Sequence, residues 1–123
     1  MEDSTKVFGK LSDIGKRPIF SMARLDRIKN LTGLAECFGK SKELQEQCNL
    51  ILVAGKLRVE DSTDTEEISE IEKLYQIIDK YNLQGKVRWL GVRLSKDDSG
   101  EIYRIIGDRQ GIFVQPALFE AFG

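Results

Sequence analysis

Four runs of near-continuous apolar residues punctuate the chain, at about Arg17–Ala23, Asn49–Ala54 (NLILVA), Lys86–Gly91 (KVRWLG) and Gly111–Gln115 (GIFVQ). Such runs, without strict alternation, are the pattern of parallel strands covered on both faces. Pro18 has no N–H to give a ladder, so it belongs at the start of the first run. Helical spacing fills the gaps. Leu31, Leu34 and Phe38 fall at i, i+3 and i+7 behind Asn30, a favourable N-cap, and Gly39 is placed to end that helix. Ser41 can cap a short continuation through Leu44 to Cys48. The longest helix is predicted over about Asp64–Asn82, with Ile68, Ile71, Leu74, Tyr75, Ile78 and Tyr81 as its apolar stripe. Ser95 and Asp98 have capping-box-like spacing before a last helix carrying Ile102, Ile105 and Ile106.

The resulting order, β-α-β-α-β-α-β, predicts an α/β fold with a partial Rossmann-like parallel sheet. Two strand orders are open, 3-2-1-4 and the flavodoxin-like 2-1-3-4. Residues 1–16 are polar apart from Val7, Phe8, Leu11 and Ile14, and read as a lead-in covering a sheet edge; residues 17–123 form the domain. A fourth strand with nothing after it to cover it predicts self-association, and suggests a piece of a larger protein.

Composition narrows the function classes. A chain of 123 residues buries roughly two thirds of its unfolded surface, enough for one core. With 41% hydrophobic and 32% charged residues it is not a disordered segment. A net charge of −1 and no clustered basic face argue against nucleic acid as a partner. No apolar run approaches the roughly 20 residues a membrane span needs, and a cytoplasmic location is expected. Cys37 and Cys48 lack metal-ligand spacing and read as free, buried thiols. The chain has no histidine, so any imidazole in a mechanism must come from elsewhere.

The candidate chemistry centres on the turn after the first strand. Ligands of open α/β sheets bind at the carboxyl ends of strands where the strand order reverses, and the first strand borders that point in either topology. Arg24 leaves this strand and Lys29 precedes the helix start. A guanidinium that grips two oxygens, an ammonium and a helix N-terminus together suit a diphosphate. The competing reading is two surface cations, one of them paired with Asp26. Neither GxGxxG nor GxxxxGK[ST] occurs. With strand order 3-2-1-4, Gln115 in the loop after the fourth strand lines the opposite wall; Glu120 can accept hydrogen bonds from sugar or ribose hydroxyls, and Phe122 and Gly123 offer backbone N–H groups. Glu120 is equally readable as a helix-start glutamate. Asp64, Glu66 and Glu67 read as a solvated helix start rather than a metal site, Asp97 and Asp98 as a cap, and Trp89 and Phe113 as core. No metal and no cofactor is expected.

The run FSMARLDRIKNLTGL (Phe20–Leu34) closely resembles the sucrose synthase family of retaining glycosyltransferases. LILVAG, EIYR (Glu101–Arg104) and FVQPALFEAFG (Phe113–Gly123) follow in that family's order. The resemblance implies part of the C-terminal nucleotide-sugar-binding domain of a GT-B enzyme, with strand order 3-2-1-4. It implies reversible glucosyl transfer between sucrose and a nucleoside diphosphate, yielding NDP-glucose and fructose, in a homo-oligomeric parent. It assigns Arg24 and Lys29 to the diphosphate, Glu120 to the glucosyl unit, and the N–H groups of Phe122 and Gly123 to glucose hydroxyls. Arg93 and Ser99 stand where plant members carry a glutamine and an asparagine near the base, which puts uracil selectivity in doubt and points to a bacterial-type enzyme accepting ADP or UDP. The second glutamate of the family's E-x7-E motif and the acceptor-binding domain with its histidine have no counterpart here, so the chain alone is expected to be inactive. The rival reading is a non-enzymatic receiver-like or flavodoxin-like module in which Arg24 and Lys29 hold a regulatory anion.

Overall fold

The computed structural model describes residues 7–91 and 96–116, the side chains of 96–99 excepted. Its elements are β1 (Val7–Phe8), β2 (Arg17–Met22), α1 (Leu31–Lys40), α2 (Lys42–Gln47), β3 (Cys48–Val53), a 3-10 turn (Val59–Asp61), α3 (Thr65–Lys80), β4 (Val87–Leu90), α4 (Lys96–Asp108) and β5 (Ile112–Phe113). They build one five-stranded sheet in the order β1-β4-β3-β2-β5. Counting only the four strands expected from the sequence, this is 3-2-1-4, and the flavodoxin-like order is excluded. The ladders are parallel from Arg17↔Cys48 to Met22↔Val53 and from Leu50↔Val87 to Val53↔Leu90. β5 joins the other side of β2 through Ile19↔Ile112 and Phe20↔Phe113. Val7 and Phe8 add an antiparallel edge on β4, opposite Leu90 and Trp89.

One face of the sheet carries the main core. Leu31, Ala35 and Phe38 of α1 and Ile71, Leu74 and Ile78 of α3 meet Leu50, Leu52 and Trp89. The opposite face has a smaller cluster of Phe20, Val53 and Ile106 under α4. The asymmetry follows from connectivity: two crossovers place helices on the first face, and only α4 returns over the second. At that edge Ile112 and Phe113 remain 51% and 42% exposed, so Phe113 is not the core residue its aromaticity suggested. It packs instead edge-on to Phe20 (5.4 Å between centroids) and against Tyr103 (4.5 Å). Trp89 is fully buried, as expected.

Several local expectations are revised by packing. Asn30 occupies the N-cap position, but at φ 60°, and its side chain makes no capping bond. Gly39 does not end α1; the helix runs on to Lys40, and Ser41 closes it through its N–H to Phe38 O (3.3 Å). Ser41 also caps α2 as expected, its hydroxyl accepting from Leu44 N (3.2 Å). Asp64 caps α3, accepting from Glu66 N and Glu67 N. In α3 the buried set includes Ile77 and Glu70, neither on the expected stripe. Glu70 is 3% exposed because it serves two partners, accepting from Thr32 Oγ1 on α1 (3.0 Å) and pairing with Lys73 (3.3 Å). Both cysteines are free, but only Cys48 is buried; Cys37 is exposed. The expected Ser95–Asp98 capping box and the Asp97–Asp98 pair fall outside the described residues or side chains.

Gly39 has a different reason to be glycine. A Cβ there would lie 2.5 Å from Tyr81 Cδ2 and 2.9 Å from Tyr81 Cβ, near the root of that side chain, where it cannot swing away cheaply. In an exposed helix, Gly→Ala stabilises by roughly 0.5–1 kcal/mol. Here Gly39→Ala is expected to reverse that sign and cost about 1–3 kcal/mol through overpacking, measured as a lower urea midpoint at unchanged slope. A midpoint equal to or above that of the unmodified chain would refute the close approach.

Candidate functional site

Three parallel strands end together at the top of the sheet, and the loops leaving them enclose a cleft of about 810 Å³. Met22, Val53 and Ala54 form its floor; Arg24, Asp26 and Ile28 come from the turn after β2, Lys56 from the loop after β3, and Asp64, Glu66 and Glu67 from the start of α3. Arg24 leads into the cleft because the strand stops at Met22, beyond which only the Ala23 N–H continues the ladder, to Val53 O (3.1 Å). Its side chain is 84% exposed and lies 3.7 Å from the Asp26 carboxylate. An exposed pair of this kind contributes at most about 1 kcal/mol, so Arg24 can exchange Asp26 for a ligand at little cost.

The turn is braced from within. Asp26 Oδ1 accepts from the Lys29 N–H (2.7 Å), Asp26 O from the Asn30 N–H (3.3 Å), and Glu66 of α3 reaches across to accept from the Arg27 N–H (3.1 Å). The Arg27 and Lys29 N–H groups of the turn are thus held by carboxylates, and the exposed Arg24 guanidinium is the feature that can attract an anion. Asp64 caps α3, and Glu66 and Glu67 stand in its acidic first turn, Glu66 also bonding across to Arg27; among the described residues no group of acidic, cysteine or histidine side chains is arranged to hold a metal. The sequence pattern did not show that this acidic helix start faces the same cleft as Arg24.

Where the sheet order reverses, between β2 and β5, two side chains of the β2 segment fasten the exit of β5. Ser21 Oγ donates to Val114 O (2.7 Å), and Asn30 Nδ2 donates to Pro116 O (3.0 Å). Asn30 has a left-handed backbone, which asparagine tolerates better than other side-chain-bearing residues, and its amide lies over Gly33 in the first turn of α1 without capping it. A Cβ on Gly33 would come within 2.6 Å of the Asn30 Cγ, so glycine there leaves room for this reach. Asn30, Ser21 and Gly33 hold the exit of β5 in place, contacts that spacing alone does not reveal; the position of Asn30 in the sequence suggests only a cap.

Of the residues singled out from sequence, the structure places Arg24 on the cleft and Lys29 at the foot of α1, half-buried and beside it rather than among its lining. Gln115 is exposed, between the two fastened residues Val114 and Pro116. Ser99 lies in the first turn of α4, its side chain outside the description. Arg93, Glu120, Phe122 and Gly123 lie outside the described residues. Behind the cleft, Tyr75 donates to Leu57 O (2.7 Å); burial, and secondarily the negative charge of Glu60, push its phenol above the usual 10, which keeps that donor protonated.

The chain is similar to proteins of known kind. The family model for glycosyl transferases group 1 matches residues 3–123. The chain belongs to this glycosyltransferase family. It aligns to one part of sucrose synthases: it is 76% identical over its whole length to that of Thermosynechococcus vestitus, 56% over 95% of its length to that of Melioribacter roseus, and 48% over 99% to sucrose synthase 2 of Arabidopsis thaliana. In each case it spans about 15% of the relative's length. Among solved structures it superposes on apo OtsA with a TM-score of 0.65 at 15% identity, covering 89% of this chain and 25% of that one. It also matches an E. coli trehalose-6-phosphate structure bound with UDP-2-fluoro glucose, with a TM-score of 0.53 at 21% identity over 73% of this chain and 22% of that one. The structural neighbours are GT-B glycosyltransferases, so the expected fold class stands.

Proposed function

We propose that the chain supplies the diphosphate-binding side of a nucleotide-sugar site and that it does so within sucrose synthesis and cleavage. The observation that carries the reading is Arg24: an exposed guanidinium on the carboxyl edge of a parallel strand, opening on an 810 Å³ cleft and, among the described residues, held only by a weak pair with Asp26. In this reading Arg24 takes two diphosphate oxygens and Lys29 adds a point charge. Together they stabilise the negative charge that grows on the nucleoside diphosphate as the glucosyl bond breaks, work that a metal ion does in other enzymes. Glu120 accepts from the glucosyl hydroxyls, the Phe122 and Gly123 N–H groups complete that contact, Gln115 stands on the β5 wall, and Arg93 and Ser99 lie toward the base. The nucleotide is ADP or UDP. The high identity to sucrose synthases over the whole chain supports sucrose, fructose and NDP-glucose as the reactants of the full protein; a cytoplasmic location and a homo-oligomeric assembly are part of the same proposal.

Titration of the chain with ADP and with UDP, followed by amide chemical shifts, tests the binding half of this reading. Saturable shifts are expected around Met22–Asn30, weakened about tenfold or more by Arg24→Ala, the loss typical of one charge-assisted contact. Shifts unchanged in that variant would place the nucleotide elsewhere.

A further inference from the structure

The end of the sheet opposite the cleft carries a second concentration of positive charge. Lys16 immediately precedes β2, Lys86 immediately precedes β4, and Gln45 and Glu46 close α2 just before β3. With Lys42, Tyr81 and Asn82 these residues line an open depression of about 390 Å³. Two ammonium groups converge on one residue there: Lys16 Nζ donates to Gln45 O (2.8 Å), and Lys86 Nζ donates to Gln45 Oε1 (2.9 Å). Gln45 is itself 6% exposed and locked, its Nε2 donating to Phe38 O (3.1 Å) and Gly39 O (2.9 Å) at the end of α1.

The chemistry of this arrangement is unusual for lysines. Both are ordered by neutral carbonyl oxygens, and among the described residues neither makes an ion pair, although Glu46 lies on the same depression. Two like charges drawn toward one residue repel each other, and neither its backbone carbonyl nor its side-chain amide oxygen neutralises them. Each ammonium uses one N–H on Gln45 and keeps two to offer. Lys42 adds a third positive charge on the rim.

The geometry points to a second anion site, for a phosphate or phosphomonoester dianion, held by Lys16 and Lys86 with Lys42 at its edge. It is independent of the diphosphate reading, because the six-residue strands β2 and β3 hold the two ends of the sheet roughly 20 Å apart. A compact dianion relieves the repulsion of the lysine pair, and the depression leaves room for a small organic substituent. An occupant here ties the starts of β2 and β4 to α2, and so acts on the sheet that carries Arg24 without touching the cleft.

The test is a titration of the chain with inorganic phosphate, and in parallel with glycerol 3-phosphate, at ionic strength held constant with chloride. The expected result is a saturable movement of the Lys16, Gln45, Asn82 and Lys86 amides, absent with chloride alone. Lys16→Gln with Lys86→Gln is expected to weaken it about tenfold or more. Since those changes also release Gln45, Lys42→Gln serves as a second variant that leaves the Gln45 bonds intact, with a smaller loss expected. Arg24→Ala should leave this response unchanged. Tighter binding of glycerol 3-phosphate than of phosphate would assign the site to an esterified ligand; equal binding would assign it to the free ion. Shifts that chloride reproduces, that survive all the lysine changes, or that appear only at the Arg24–Lys29 turn would overturn the proposal.

Discussion

Arg24→Ala is expected to lower kcat for sucrose synthesis from NDP-glucose and fructose by about two to three orders of magnitude, the loss seen when one preorganised electrostatic contact to a developing charge is removed. The measurement requires a whole enzyme. The Thermosynechococcus vestitus sucrose synthase with its matching segment replaced by this chain is a suitable frame, given 76% identity over all 123 residues. The side chain is 84% exposed and its one described ion pair, to Asp26, is long, so its removal should leave folding almost untouched. The deficit is then chemical. If Arg24 acts on the leaving diphosphate, kcat and kcat/KM fall together, because the contact strengthens only as the glucosyl bond breaks. Arg24→Lys keeps the charge but loses the two-pronged grip, and should recover only part of the rate. Lys29→Ala should follow the same pattern. A frame enzyme carrying Arg24→Ala that turns over within about threefold of its parent would sink the assignment, whatever the binding data say.

Trp89→Ala should be the most damaging core change, at about 3–5 kcal/mol, a large share of the roughly 5–15 kcal/mol that holds a domain of this size together. Trp89 is fully buried at the meeting point of β4, α3 and the β1 edge. It packs at a tilt against Tyr75 at 5.1 Å, meets Phe8 edge-on at 6.4 Å, and donates from Nε1 to Ala54 O at 2.9 Å. That last bond matters for the site, since Ala54 forms part of the cleft floor. Trp89→Phe separates the two contributions: it keeps most of the apolar volume but strands a buried carbonyl, for an expected cost of about 1–3 kcal/mol. Urea unfolding of both variants checks the order. Equal losses for Phe and Ala would mean that the hydrogen bond, not the ring, is the dominant contribution.

The Asn30 amide shows most clearly what one-dimensional pattern could and could not supply. Its identity is right for a helix start, and the helix does begin after it. Its actual bond is to Pro116, 86 positions away, and only the closure of the sheet brings the two together. Glu70 is the same lesson in the core: a glutamate among apolar helical positions reads as solvent-facing until Thr32 of another helix meets it. Phe113 errs in the opposite direction, an aromatic in a strand-like run that stays partly exposed because, of the described helices, only α4 reaches it, through Tyr103.

Strand and helix positions, the parallel character of the sheet and the placing of Arg24 on the crevice edge were legible in the residues alone. Each depends on something local: an apolar run too continuous for a half-exposed strand, a 3.6-residue period, an arginine directly after the run. The strand order, the acidic wall facing Arg24, the bracing of the turn by Asp26 and Glu66, and the convergence of Lys16 and Lys86 on Gln45 were decided by tertiary structure. They are contacts between residues up to 41 positions apart, or choices between two foldings of the same elements. Local periodicity constrains which face of an element is apolar, but it carries no information about which other element will arrive to cover it.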